Sequence, residues 1–77
     1  MTMSLGDRIR RLREMREINQ TQLGRAVHMT QRKVSYIERD ACEPSIADIV
    51  ALCRFFGVSA DYLLGLTENC PQDSSKQ

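Results

Sequence analysis

The side chains best suited to chemistry lie in one stretch, from Gln31 to Arg39. At about 100° per residue, Val34 and Ile37 share one side of a helix, with Thr30 near it. The opposite side carries Arg32, Ser35, Tyr36 and Arg39, flanked by Gln31 and Lys33. Such a face holds the forked donors and acceptors that fit base edges. Arg can grip guanine O6 and N7, Gln can pair with adenine N6 and N7, and Lys meets phosphates. An ordinary solvated helix uses the same residue types, so the face alone does not decide between the two.

Other chemistry is hard to assemble. His28 is the only histidine, and Cys42, Cys53 and Cys70 form no CxxC pair, so no metal site is expected. An odd number of cysteines cannot close fully into internal disulfides, and free thiols in a reducing compartment are the expectation. Cys53 falls on an apolar stripe and reads as a small core residue. No Ser/His/Asp or Cys/His set and no phosphate-cradling glycine loop is present, so neither an enzyme nor a cofactor is expected.

The elements that must position the Gln31–Arg39 face are helices. Apolar residues are mostly Leu, Ile, Val and Met, aromatics are few, and no segment alternates with period two. Ser4 with Asp7 opens a first helix whose Leu5, Ile9 and Leu12 share a face. Asn19 with Gln22 opens a second, with Leu23 and Val27 inward. Thr30 caps a third, from Gln31 to about Glu38. Asp40 to Pro44 is a loop, since Pro disfavours helix in the residue before it. Ser45 with Asp48 opens a fourth, with Ile46, Ile49, Leu52, Cys53 and Phe56 inward, and Gly57 ends it. Ser59 caps a short fifth helix carrying Leu63 and Leu64, closed by Gly65. The expected organisation is one domain over 4–67 and a polar, disordered tail over 68–77.

Charge divides along the chain. Residues 1–39 hold nine Lys/Arg against four Asp/Glu, a net of +5, and residues 40–77 hold two against six, a net of −4. A basic half beside an acidic half suggests a surface facing a polyanion. No apolar run is long enough to span a membrane, and no signal-peptide core opens the chain, so a cytoplasmic protein without membrane attachment is expected.

Two short helices joined by about three residues, second and third in a bundle, match the helix-turn-helix unit. The segment NQTQLGRAVHMTQRKVSYIER, residues 19–39, resembles the Cro and phage-repressor (Xre-type) helix-turn-helix family of transcriptional regulators. Gln20, Leu23, Val27, Met29, Thr30, Val34, Ile37 and Glu38 stand where that motif expects their types. LGDRIRRLRE before it and EPSIADIVALCRFFGVSADYLL after it extend the resemblance over residues 5–66. Three positions depart from the pattern. His28 and Asp40 stand where the family has Gly, at places that often need a positive φ, and Gly24 replaces an Ala.

The resemblance implies an all-α, compact five-helix, lambda-repressor-like domain that binds double-stranded DNA sequence-specifically, with the third helix in the major groove. It implies a regulator, a repressor rather than an activator, acting on an operator as a homodimer at least when on DNA, with no small-molecule ligand evident. The alternative is an antitoxin or adaptor-type module acting mainly through a protein partner. Family geometry places the N-terminal residues of the third helix deepest, making Gln31 and Arg32 base readers. Tyr36, one turn later, is assigned to a thymine methyl or a phosphate. Gln20 starts the second helix, where free N–H groups can hold a phosphate. Thr30, Lys33, Ser35 and Arg39 complete the set expected at the DNA backbone. An Arg late in the first helix meets a Glu ending the recognition helix in this family, and Arg13 and Glu38 hold those positions. Arg8, Arg10, Arg11 and Arg16 either border the DNA backbone or serve solubility. Phe55, Tyr62 and Leu66 either form a dimer surface or cap the core.

Overall fold

Among the described residues every helix begins on a side chain that accepts a backbone N–H. In the computed structural model, which describes residues 3–66, these helices are α1 (Leu5–Met15), α2 (Gln20–Val27), α3 (Gln31–Glu38), α4 (Ile46–Phe56) and α5 (Ala60–Leu63). The stretch 68–77 expected as a tail, Cys70 included, lies outside the described residues. The Ser4 hydroxyl accepts from Asp7 N–H at 3.1 Å, and the Asp7 carboxylate accepts from Ser4 N–H at 3.3 Å. Asn19 with Gln22 and Ser45 with Asp48 repeat this reciprocal bonding. Thr30 and Ser59 make the single cap bond. Each cap contributes about 1 kcal/mol by satisfying donors that the helix leaves free.

The helices enclose a small core of Ile9, Leu23, Val27, Val34, Ile37, Leu52, Phe56 and Leu63. α2 and α3 pack on each other, α1 lies against α3, α4 closes on α2, and α5 rests on α1 and α4. Ile46 departs from its expected inward position. It is the first residue of α4 and is 84% exposed, because no other helix covers that end. Cys53 is half-buried against the core, and burial pushes its thiol pKa up, which disfavours the reactive thiolate.

Backbone geometry fixes the angle at which α3 is presented. α2 ends on His28 in the left-handed region (φ 61°, ψ 45°), and its N–H reaches the Gly24 carbonyl. Met29 N–H donates to the same carbonyl at 2.7 Å. The turn folds so tightly over Gly24 that a Cβ there would lie 2.5 Å from the Met29 carbonyl oxygen. Asp40 also has positive φ (60°), and its carboxylate accepts from Gly6 N–H at 3.0 Å, which ties the start of α1 to the end of α3. A Cβ on Gly6 would sit 2.4 Å from the Glu38 carbonyl oxygen and 2.5 Å from that of Ile37. Only glycine lets α1 lie that close. Glu17 is a third non-glycine residue at positive φ (59°), in the α1–α2 turn, and sequence reasoning did not anticipate it.

Candidate nucleic-acid interface

α3 buries Val34, Ile37 and Glu38 and leaves Gln31, Arg32, Tyr36 and Arg39 in solvent. Thr30 is exposed at its start, and Lys33, Ser35 and Gln20 are half-buried beside it. The base and backbone contacts expected from the sequence therefore lie on one helix, its two caps and the first residue of α2. The side chains are constrained before any ligand arrives. The Arg39 guanidinium lies 5.2 Å from the centre of the Tyr36 ring, and its Nε donates to the Ser35 carbonyl at 3.4 Å. A cation held over an aromatic face orients both groups.

Beneath this face, Arg13 Nε donates to Glu38 Oε2 at 2.6 Å and Arg13 Nη2 to Glu38 Oε1 at 3.1 Å. The side chains are 13% and 2% exposed, so this is a nearly dry, two-pronged ion pair joining α1 to α3. The third prong, Arg13 Nη1, donates to the Ile18 carbonyl at 2.9 Å and holds the α1–α2 turn. The hydrogen bond to Glu38 raises the Arg13 pKa against the opposing effect of burial. Two amides continue the network outward. Gln20 Nε2 donates to Glu38 Oε1 at 3.1 Å, and Gln31 Nε2 donates to Gln20 Oε1 at 2.7 Å.

Lys33 is not a free cation. Its Nζ lies 2.8 Å from Asp48 Oδ2, linking α3 to the first turn of α4. The hydrogen bond to Asp48 raises the lysine pKa. Burial pushes the Asp48 carboxyl up, but Lys33 and the Ser45 backbone and hydroxyl more than offset it and hold it below its ordinary value. A phosphate contact from Lys33 has to share or displace this carboxylate.

Two arginines on α1 and in the turn after it have structural roles that sequence reasoning missed. Arg16 donates to the Phe55 and Phe56 carbonyls at 3.3 and 3.0 Å, capping the C-terminus of α4, and lies over both rings. Arg8 is buried, with its guanidinium 5.6 Å from the Tyr62 ring centre. Phe55 and Tyr62 are half-buried with an arginine over each ring, so of the three aromatic and aliphatic candidates for a dimer surface Leu66, 74% exposed, is the most open. Three further exposed apolar side chains, Ile46, Val50 and Leu64, line an open groove with Leu5 and Ile49, and Met15 is exposed at the end of α1. Among the described residues no helix is long and apolar enough to cross a membrane, and no group of three His, Cys, Asp or Glu is placed to hold a metal ion.

A family model for the helix-turn-helix domain matches residues 4–64. The repressor protein C2 of Salmonella phage P22 is 36% identical over 63 residues, which cover 82% of this chain and 29% of that protein. The HTH-type transcriptional regulator ImmR of Bacillus subtilis is 32% identical over 66 residues, 86% of this chain and 52% of that protein. Among solved structures, the P22 c2 repressor in complex with synthetic operator 9T matches with a TM-score of 0.79 at 36% identity, covering 82% of this chain and 96% of that one. The chain spans between 29% and 55% of the length of the curated relatives it matches.

Proposed function

The chain belongs to the helix-turn-helix domain family, of the phage-repressor type, and on that premise we propose that it binds an operator in double-stranded DNA and represses transcription. The observation that carries this reading is the dual nature of α3. Its inner side is locked by the Arg13–Glu38 pair, and its outer side offers Gln31, Arg32, Tyr36 and Arg39 to solvent. A helix fixed on one side and armed on the other can enter a major groove with little further loss of conformational freedom.

Gln31 and Arg32 read base edges, with Tyr36 one turn beyond. Gln20, Thr30, Lys33, Ser35 and Arg39 meet the sugar-phosphate backbone. Gln20 keeps its second amide hydrogen and the free N–H groups of the α2 start for a phosphate. One such helix covers only a few base pairs, so the protein acts as a homodimer on a two-fold site. The apolar groove at Ile46, Val50 and Leu64 supports that reading. The work is binding, not catalysis, and belongs in the cytoplasm with the DNA. An electrophoretic shift assay on operator-sized duplexes at two salt concentrations tests the reading. Affinity falling steeply with salt is expected, because each phosphate neutralised releases counterions. Affinity independent of salt contradicts it.

A further inference from the structure

Gln31 does not choose its own orientation. A glutamine amide has a donor end and an acceptor end of nearly equal size, and two neighbouring amides can satisfy each other in either sense. Here a third group removes that freedom. The Glu38 carboxylate, 2% exposed, offers only acceptors. Gln20 therefore turns its NH2 toward Glu38 Oε1, at 3.1 Å, which leaves its carbonyl oxygen outward. That oxygen in turn accepts from Gln31 Nε2 at 2.7 Å. Reversing the Gln20 amide would set its carbonyl oxygen against a nearly dry carboxylate, two acceptors where water is scarce. Gln31 lies in solvent, and its sense follows because the outward oxygen of Gln20 can accept only from its NH2.

We propose that Glu38, acting through Gln20, is a positioning residue that sets the donor–acceptor order Gln31 shows to the groove. With one amide hydrogen committed to Gln20, Gln31 presents its remaining N–H and its carbonyl oxygen side by side. That pair is complementary to adenine, which offers the N7 acceptor beside the N6 donor. Arg13 contributes by taking Glu38 Oε2 and by holding the carboxylate plane with its second prong, so the direction originates in an ion pair inside the domain. The proposal rests on the reading of Gln31 as a base contact.

The test compares base preference, position by position, for the full chain and for Gln31→Ala, Gln20→Met and Glu38→Gln, by competition on single-substituted operator duplexes. Gln31→Ala marks the base pair that Gln31 reads. Gln20→Met keeps side-chain length without polarity, and Glu38→Gln replaces a pure acceptor with a group that can also donate. Both are expected to lower the preference for adenine at that one position about tenfold. Preference at the remaining positions and the salt dependence should stay as in the parent. In the free protein, the side-chain NH2 resonances of Gln31 should lose their hydrogen-bonded shift in Gln20→Met. A merely structural role for Glu38 and Gln20 weakens all sequences by a common factor and leaves the preference intact, and that result overturns the proposal. If Glu38→Gln does not fold, Gln20→Met decides by the same criterion. If Gln31→Ala alters preference nowhere, base reading by Gln31 is wrong and the relay falls with it. If Gln31→Ala relaxes one position but the other two do not, the relay alone is wrong.

Discussion

Arg13 and Arg10 sit three residues apart on α1, yet their charges do different work. Arg10 meets Glu14 at 4.0 Å with both side chains more than half exposed, where solvent screens the pair. Arg13 meets a carboxylate that is 2% exposed. Arg13→Ala should therefore cost about 3 kcal/mol, the lower part of the range for breaking a buried pair, since the guanidinium itself keeps a wet edge. Arg10→Ala should change stability by less than about 0.5 kcal/mol. Urea unfolding of the two variants checks the contrast, and equal losses would contradict it. At this scale the sequence was legible where a resemblance supplied a partner, as for Arg13 and Glu38. It was opaque where the partner was contributed by the fold alone. Nothing in the Arg-rich run of α1 separates Arg8, packed over Tyr62, or Arg16, beyond the helix and capping α4, from the arginines that stay in water. Nor did it show that Lys33 already holds Asp48, 15 residues on.

Helix starts were readable because Ser, Asn or Thr at helix entry is a local chemical signal, reinforced at Ser4, Asn19 and Ser45 by Asp or Gln three residues on, and all five caps form. The left-handed residues His28 and Asp40 were readable as substitutes for glycine, whereas Glu17, the left-handed residue of a Schellman end to α1, carries no such cue in its side chain and was not. His28→Gly should raise stability by up to about 1 kcal/mol, since glycine adopts that conformation without strain, offset in part by the entropy of a freer unfolded chain. Gly6→Ala should act in the opposite direction and lower stability by about 2 kcal/mol, because the added Cβ meets backbone oxygens of α3 that cannot turn aside. Thermal melts of the two variants in opposite directions are the expected result. The α3–α4 link has a pH signature. The folded-state Asp48 value lies below that of the unfolded chain, so its contribution is present above the ordinary carboxylate range and is lost as pH falls through the folded value. Asp48→Asn should flatten the loss of stability on acidification below about pH 4 relative to the parent. Melting curves at stepped pH read this directly, and identical acid limbs would exclude the role.

For the molecule as a whole, fold class and the side of α3 that faces solvent followed from periodicity, caps and one extended resemblance. The apolar surface did not, because exposure depends on which helices happen to overlie Ile46, Val50 and Leu64. A homodimer formed through that groove predicts that Ile46→Asp, at a position 84% exposed, leaves the fold intact but abolishes cooperative binding to two half-sites while half-site affinity is kept. Unaltered cooperativity would place the dimer contact elsewhere. Reading of base sequence by the exposed face of α3 is tested by selection of bound sites from random DNA by the parent chain and by Arg32→Ala. A two-fold symmetric motif is expected for the parent, and for Arg32→Ala the loss of preference at one position per half-site with an affinity cost of roughly 1–3 kcal/mol on the parental site. The same motif recovered at undiminished affinity by Arg32→Ala would contradict base reading by this face.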